Sequence, residues 1–558
     1  MTLIDLISGE AEDKRFRILA AASLAGAANT ATVALVNAIA QRKSGGATLG
    51  DCFLFLALIA VYVVGSRYTC HGVSATLEDA LHHIKVRNLE KIERASYEAI
   101  ERIGTAEIYD RISANVSRIS SSAALIANLL QSLFMSVAAG LYIATLSLPA
   151  FALLVLLFGA GIALFYQKAR DIAQNLQAAS AIRMGFFEQL TDLFQGFKEV
   201  KLNQRRGREL REDIQGTSGS LRGVTTTSNN ALHDHWLFAQ CNLYVGLAAL
   251  IFVLPQHVEV EASVERLLIG GVLLVWGPVV TCLAGFPVYL ESNVSLANIE
   301  ALERKLDAAA SEDEAPIDPW KGRLTRGIEV KDLAYTYAAA GAQESFHIGP
   351  LSLDIAAGEI VFIVGGNGSG KSTFLKVLTG LYPPSEGTLR ADRFAVTPDK
   401  APAYRELISA IYSDFHIFSK LYGLLGVPES SVSPLLKRMQ IEDKTSFAAD
   451  RFTRVDLSTG QRKRLAMIVT LLEDRPLCVF DEWAADQDPE FRKYFYEELL
   501  PSLKQQGKTV IAVSHDDRYF HCADRVVTME YGQIRSIESP HHPGAAIPGA
   551  PSADPRPA

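Results

Sequence analysis

The 558-residue sequence has no long basic tract, no cysteine pairs at metal-binding spacing and no leader-like start. A formal net charge of −8 without a basic tract argues against nucleic-acid binding as the main activity. The six cysteines are scattered without CxxC or Cys/His spacing, which predicts small apolar packing residues rather than a metal site or disulfide framework. Acidic residues precede the first apolar run, and no A-x-A cleavage pattern follows a short hydrophobic segment. We therefore expect no removable signal peptide.

Long apolar runs, nearly free of charge, lie only in the first 300 residues, and this predicts a membrane half followed by a soluble α/β half. Six runs approach or exceed the roughly 20 residues that cross a hydrocarbon core. They are Ile18–Ala40, Cys52–Tyr68, Ala123–Thr145, Leu148–Tyr166, Trp236–Leu254 and Leu267–Leu290. No Asp or Glu lies in the middle of a run, which argues against proton-coupled transport.

The basic residues between the runs predict the orientation. Gly72–Ser120 carries seven Lys/Arg and Gln167–His235 carries ten, whereas the three opposite loops carry only Arg42, Lys43 and Arg266. By the positive-inside rule the two long loops face the cytoplasm. Their helix-forming composition predicts that the spanning helices continue into the cytosol, with turns at Gly104–Asp110 and near Arg206–Glu212 that touch the soluble domain; two separate cytosolic subdomains are the alternative.

The composition along the chain predicts four segments. Residues 1–306 form a six-helix membrane domain with long cytoplasmic extensions, and residues 307–325 form a linker rich in Ala, Asp, Glu and Pro. Residues 326–540 form the soluble domain. The Pro/Ala/Gly-biased tail 541–558 is predicted to be disordered.

The motif GGNGSGKS follows the apolar strand-like run Ile360–Val364 and precedes a helical stretch. Glycines at this spacing let backbone N–H groups surround phosphate oxygens, while a lysine adds a point charge and the Ser372 hydroxyl can bind Mg²⁺. A purely structural glycine turn is the alternative. The predicted ATP-binding residues are Gly365, Gly366, Asn367, Gly368, Ser369, Gly370, Lys371, Ser372 and Thr373.

An acidic pair, Asp481-Glu482, ends the apolar run Leu477–Phe480, which is typical of a buried parallel strand. Two adjacent acids at such an edge can divide the work of hydrolysis. Asp481 would hold Mg²⁺ through water, and Glu482 would polarise the water that attacks the γ-phosphate. An ordinary strand end is the alternative for the pair taken alone.

The segment Leu457–Gln461, reading LSTGQ, stands about 20 residues before the acidic pair and opens a helix. With it the stretch from Gly327 to Ile537 resembles an ABC transporter ATPase, whose LSGGQ signature differs only at Thr459. The resemblance implies an α/β P-loop ABC ATPase domain joined to a six-helix type I exporter (type IV fold) membrane domain. It also implies roles for further residues: adenine stacking for Tyr337, the loop after the catalytic acid for Asp488, γ-phosphate contact for His515, and nucleotide capping for Ser458, Gly460 and Gln461.

In the ABC family the signature of one subunit caps the nucleotide that the glycine loop of the other subunit holds. A chain with six helices and one ATPase domain therefore has half the parts of an exporter. We expect a homodimer with ATP and Mg²⁺ at each shared site.

Exporters of this family usually carry a glutamine five residues before a phenylalanine, between the glycine loop and the signature. Ser413 stands at that place here, so either Ser413 with Asp414 takes over or Mg²⁺ is held differently. This stretch, Tyr412–Phe418, and Ser514–Phe520 resemble the cyclic-peptide exporter branch, which handles siderophore precursors of the pyoverdine type, syringomycin-type lipopeptides and microcin-type peptides.

The resemblance implies a multi-pass protein of a bacterial inner membrane that exports a peptide-like cargo. Membrane lipid surrounds its spanning helices. An exporter of lipids or drugs, or a membrane-tethered regulatory ATPase, is the alternative. Polar or amphipathic residues within the apolar runs could line a path for cargo or could bond helix to helix. They are Asn29, Asn37, Asn128, Gln131, Asn242 and Trp276.

Overall fold

The computed structural model describes residues 5, 12–40, 42, 48–257, 262–309, 317–337 and 346–540. Within it the chain divides into two compact units. The first holds residues 1–93 and 103–308, and the second holds residues 94–102 and 309–558. The predicted disordered tail and part of the predicted linker lie outside the described residues.

The first unit is built from six long helices. Those of the described residues are α1 Glu12–Ala40, α2 Leu49–Arg94, α3 Ala123–Leu146, α4 Leu148–Gln195, α5 Gln204–Ala248 and α6 Ala262–Ala308. Five helical segments within the described residues are long and apolar enough to cross a membrane, and in α4 the described apolar stretch, Leu148–Gly161, is shorter. Helices α2, α4, α5 and α6 have 45 to 48 residues, about twice the length that a bilayer crossing needs. The long loops of the sequence are therefore largely helical.

Small residues let these helices approach closely. A Cβ at Gly26 of α1 would lie 2.8 Å from the backbone nitrogen of Met135 in α3, and a Cβ at Gly65 of α2 would lie 3.0 Å from the carbonyl oxygen of Ala21. Close backbone contact is the main source of helix association in lipid, where burying apolar surface gives little driving force. Helices α1, α3 and α6 pack together on this basis, and α4 packs along α5.

Of the two predicted turns, the one at Gly104–Asp110 begins at a helix break, Gly104, whose φ is 84°, and the other is absent. Helix α2 ends at Arg94, and a separate short helix, Tyr97–Ile103, belongs to the second unit. The turn predicted near Arg206–Glu212 is wrong, because these residues lie inside α5. The helix starts instead at Asn203, whose Oδ1 accepts hydrogen bonds from the N–H groups of Arg205 and Arg206, a strong N-cap.

The second unit contains a largely parallel six-stranded sheet in the order β12-β11-β3-β10-β9-β6, an antiparallel sheet in the order β2-β1-β4-β5, and the small pair β7-β8. The strands are β1 Gly327–Thr336, β2 His347–Ala356, β3 Ile360–Val364, β4 Glu386–Ala391, β5 Phe394–Ala395, β6 Ile408–Ile411, β7 Phe447–Ala448, β8 Arg451–Phe452, β9 Leu477–Asp481, β10 Thr509–Val513, β11 Arg525–Glu530 and β12 Gln533–Glu538. Its helices are α7 Lys371–Leu378, α8 Ala401–Arg405, α9 Glu429–Arg438, α10 Thr459–Glu473, α11 Pro489–Tyr494 and α12 Leu500–Gln505.

The central strands of the six-stranded sheet are covered on both faces. Every residue of β3, β9 and β10 is buried, as expected for parallel strands between two layers. One core packs around Phe362, Phe480 and Phe495, and the other packs around Phe374 and Tyr404. Both cores hold the carboxyl ends of the strands in fixed register, and the candidate site lies at that edge.

Candidate functional site

The glycine-rich loop joins buried β3 to the N-terminus of α7. Gly370 caps this helix with a φ of 96°, and a Cβ there would lie 2.7 Å from Cγ2 of Ile348. Only glycine fits the turn without strain. The helix therefore begins directly at the loop, where its unpaired N–H groups are available to an anion.

Two polar groups in this loop are buried with weak partners or none. Lys371 is 6% exposed, and its Nζ donates to the carbonyl oxygens of Gly365 (2.9 Å) and Gly366 (3.0 Å). The Oγ of Ser369 is buried and has no hydrogen-bond partner. A buried ammonium bound to neutral carbonyls and an unused hydroxyl both suit phosphate oxygens. The predicted residues Asn367 and Gly368 form the exposed tip of the loop.

The buried carboxylate of Asp481 ends β9 beside this loop. Its Oδ2 lies 3.4 Å from the Oγ of Ser372. Burial raises the pKa of Asp481 and the charge of Glu482 adds to the rise, while hydrogen bonds from Ser413 and Ser372 oppose it. Carboxylate and hydroxyl oxygens are the ligands that Mg²⁺ prefers, so the donor set fits this cation. The structure thus brings Ser413, from the sequence after β6, to the same carboxylate.

Glu482 and His515 form a pair at the same edge. The Nε2 of His515 lies 2.9 Å from Oε1 of Glu482, and both side chains are partly exposed. Glu482 has a φ of 50°, in the left-handed region that costs a non-glycine residue about 1 kcal/mol or more. Both side chains line a cavity of about 210 Å³ together with Arg492, Tyr496 and Asp516. An acid held by a histidine beside open space can orient a water molecule.

Tyr337 lies beside the glycine-rich loop. Its hydroxyl is 3.3 Å from Oγ1 of Thr373, which is buried in the first turn of α7. Its ring meets the ring of Tyr382 edge-on, with centroids 5.8 Å apart. These contacts fix the ring position, and a flat ligand such as adenine can stack on a ring held in this way.

The signature segment lies apart from these groups. Ser458 is the N-cap of α10 and forms a capping box with Gln461, and its side chain is exposed. Within the part of the chain that the structure describes, no hydrogen bond or ion pair joins this segment to the glycine-rich loop. Its contacts are with the loop after Glu482, where Gln487 Nε2 donates to the carbonyl oxygen of Gly460.

Comparison with known proteins gives four informative matches. The ABC transporter family model matches residues 348–485. The ATP-binding protein SyrD of Pseudomonas syringae pv. syringae is 32% identical over 477 residues, which cover 81% of this chain and 82% of SyrD. The chain belongs to the ABC transporter family. The ATP-dependent lipid A-core flippase of Pseudomonas aeruginosa is 27% identical over 43% of this chain and 41% of that protein.

A solved bacterial Atm1-family ABC exporter with ATP bound superposes with a TM-score of 0.75 at 18% identity, covering 95% of this chain and 96% of that one. The exporter fold predicted from the sequence is therefore confirmed. The chain is an ATP-hydrolysing ABC exporter, a multi-pass membrane protein whose ATPase domain faces the cytoplasm.

Sequence reasoning missed two residues in the ATPase unit of this exporter. The first is Lys463, which is buried on α10 beside Glu482. It falls on the buried face of α10 with Met467 and Thr470, and a cation at such a periodic position is a signal that could have found it. The second is Tyr382, which is buried beneath Tyr337 and bonds Glu101 of the short helix Tyr97–Ile103.

Replacing Asp481 with Asn is expected to stabilise the nucleotide-free exporter and to abolish Mg²⁺-dependent hydrolysis. The folded pKa lies above the unfolded pKa, so the ionised carboxylate is penalised by folding and stability falls as the pH rises through its titration. Calorimetry near pH 7.5 should show a higher melting temperature for Asp481→Asn than for the unchanged protein.

The matched control is Asp443→Asn. Asp443 is exposed and the Lys444 ammonium beside it lowers its pKa, so its neutralisation should give no gain. A lower melting temperature for Asp481→Asn, or hydrolysis that keeps its Mg²⁺ dependence, would contradict the assignment.

Proposed function

We propose that this exporter works as a homodimer in a bacterial inner membrane and moves a peptide-like cargo out of the cytoplasm. The cargo class, a cyclic peptide, siderophore precursor or lipopeptide, is supported by the resemblance that Tyr412–Phe418 and Ser514–Phe520 carry. The alignment with SyrD supports the same branch, because it spans most of both chains and so includes the membrane half.

The catalytic proposal depends on one observation, the 2.9 Å pair of Glu482 and His515 next to buried Asp481. Lys371 and the N–H groups at the start of α7 bind the phosphates of ATP, and Tyr337 stacks on adenine. Ser372, Asp481 and Ser413 would hold Mg²⁺, which neutralises phosphate charge when bound.

Glu482 is the residue that acts on the attacking water. Its carboxylate accepts a hydrogen bond from the water, whose oxygen attacks the γ-phosphorus while the bond to the ADP oxygen breaks. His515 holds this carboxylate in place through its Nε2–H, and the same N–H can turn to a γ-phosphate oxygen when ATP is bound. The proton of the water passes to the carboxylate of Glu482, which releases it to solvent through the cavity that it lines.

The homodimer is proposed because one chain leaves its signature unused. Ser458 and Thr459 are exposed at the N-terminus of a 15-residue helix, where unpaired N–H groups favour an anion. A second copy related by a two-fold axis would bring this helix terminus to the nucleotide held by the first copy, and two equivalent sites would form.

A second candidate function is the export of lipids or drugs. The similarity to the lipid A-core flippase favours it, although that alignment covers less than half of each chain. A regulatory ATPase without transport is disfavoured, because the proposed catalytic pair is present and the membrane helices are fused to the same chain.

Lys371→Ala and Glu482→Gln are expected to stop hydrolysis at different steps. Loss of the buried ammonium removes charge from the phosphate cradle and should weaken ATP binding at least tenfold. Glu482→Gln keeps the cradle, so ATP affinity should stay within about twofold while kcat falls roughly 100-fold or more. Nucleotide binding and phosphate release from purified exporter in nanodiscs give both quantities.

The exposed surface acid Glu498, changed to Gln, controls for loss of charge in this domain. Hydrolysis by Glu482→Gln at the rate of Glu498→Gln would remove Glu482 from the mechanism.

Mixed dimers test the shared sites. A dimer of one Lys371→Ala subunit and one Ser458→Arg subunit keeps one intact site, whereas neither single-variant homodimer has any. We expect the mixed dimer, isolated with two affinity tags, to recover up to about half of the wild-type ATPase rate if the sites act independently. A mixed dimer no more active than its parents, together with monomers only in ATP by light scattering, would rule out the homodimer.

Cargo class is tested by stimulation and transport. A cargo that binds one conformation better than the other shifts their populations and should raise ATP turnover, by at least about twofold for a specific cargo. ATPase rates would be measured in nanodiscs with cyclic or acylated peptides, with lipids and with planar dyes, alongside peptide uptake into inverted vesicles. Stimulation by lipids and dyes alone, without peptide uptake, would leave the exporter standing and overturn the peptide cargo.

A further inference from the structure

Lys463 lies two residues after the signature, on the buried face of α10. Its side chain is 4% exposed. The Nζ donates to the carbonyl oxygen of Glu482 at 2.7 Å and pairs with Oδ2 of Asp486 at 2.7 Å. One buried cation thus contacts the peptide group of the proposed catalytic acid and the side chain of the loop that follows it.

A second contact runs in the opposite direction. The indole Nε1 of Trp483 donates to the carbonyl oxygen of Lys463 at 2.9 Å, and the Trp483 ring stacks on Phe495 with centroids 4.5 Å apart. The carbonyl group of Glu482 and the side chain of the next residue, Trp483, are therefore both tied to one residue of α10. Such ties can hold a non-glycine residue at a φ of 50°, which otherwise relaxes toward negative φ.

The helix and the loop are also in backbone contact. A Cβ at Gly460 would lie 2.7 Å from the carbonyl oxygen of Asp486, so the signature glycine permits this approach. Arg464 Nε donates to Oε1 of Gln487 at 2.9 Å. The loop from Glu482 to Gln487 is thereby joined to the helix whose N-terminus carries the signature.

We propose that Lys463 is a positioning residue that fixes the backbone of Glu482 and so aims its carboxylate at His515 and the attacking water. The proposal rests on the catalytic role proposed for Glu482. Packing alone does not call for lysine here, because a buried ammonium is costly unless it is paired, and methionine fills a similar volume. The contacts of its ammonium with the carbonyl oxygen of Glu482 and the carboxylate of Asp486 explain why a lysine stands at this position.

The chain offers a matched control in Lys508, a second buried lysine whose partners directly follow the C-terminal end of α10. Lys508 is 8% exposed, and its Nζ pairs with Oδ1 of Asp474 at 2.7 Å and donates to the carbonyl oxygen of Arg475 at 2.9 Å. Asp474, like Glu482, has a positive φ, here 54°. The chemistry is the same, but these partners lie at the C-terminus of α10 rather than in the proposed catalytic loop.

The experiment compares Lys463→Met with Lys508→Met in the full-length exporter in nanodiscs. Both variants should lower the melting temperature by similar amounts. Lys463→Met should reduce kcat for ATP hydrolysis at least tenfold with KM and ATP affinity within about twofold, as expected when an interaction acts only on the chemical step. Lys508→Met should keep kcat within about twofold. Parallel losses of kcat and melting temperature in the two variants would reduce Lys463 to a structural role and overturn the proposal.

Lys463→Gln separates the two contacts and covers poor folding of the methionine variant. Its amide can still donate to the Glu482 carbonyl oxygen but carries no charge for Asp486, so kcat should recover at least about threefold above Lys463→Met. The carbonyl contact would be ruled out as the cause by two results together. These are a kcat of Lys463→Gln no higher than that of Lys463→Met, and a loss of kcat in Asp486→Asn as large as in Lys463→Met.

Glu482→Gln is measured in parallel to separate the two proposals. A Glu482→Gln protein that still hydrolyses ATP overturns the catalytic role and the present inference together. A stalled Glu482→Gln protein beside a Lys463→Met protein that behaves like Lys508→Met overturns the inference alone.

Discussion

The parallel register of three buried strands is the constraint on which the catalytic edge depends. Val513 of β10 pairs with Ile363 of β3 on one side and with Asp481 of β9 on the other. Because parallel strands in register end at one edge, the glycine-rich loop, the acidic pair and His515 come together although up to 150 residues separate them along the chain. A shift of one residue in β9 would turn Asp481 to the opposite face of the sheet.

This dependence explains how much of the site could be predicted from sequence. The glycine-rich loop and the acidic pair lie at the ends of short apolar runs, so the end of the run and the parallel topology are enough to place them. Ser413 follows β6 in the same way and reaches Asp481. His515 and the signature residues were assigned by the resemblance to ABC ATPases. Lys463 does not follow a strand, and finding it requires a cation at a buried periodic position of α10 to be read as a signal instead of as a solvent-exposed residue. The short helix Tyr97–Ile103 was not expected in the second unit, since its partners Lys376 and Tyr382 are almost 300 residues away.

The helical fold of the membrane half could be predicted from the sequence, but the residues of its cargo site could not. Polar residues in the apolar runs could line a path or bond helix to helix, and three of them bond between helices: Asn29 with Met135, Gln131 with Ser66 and Asn242 with Leu157. Asn128 is exposed in the chain. Phosphate chemistry demands particular groups at particular places, whereas a cargo cavity is defined by shape and by a few contacts that look like ordinary packing in a sequence.

The buried charges of Lys371 and Asp481 also bear on the proposed pairing of two copies. Lys371 and Asp481 are buried, and among the residues that the structure describes neither has an oppositely charged side chain as a hydrogen-bond partner. Their burial is unfavourable until phosphate and a cation neutralise them. If those ligands also contact the exposed signature of a second copy, the free energy released on neutralisation favours the closed pair over separate ATPase units. Lys463 would extend this coupling, because it ties the signature helix to Glu482, the proposed catalytic acid.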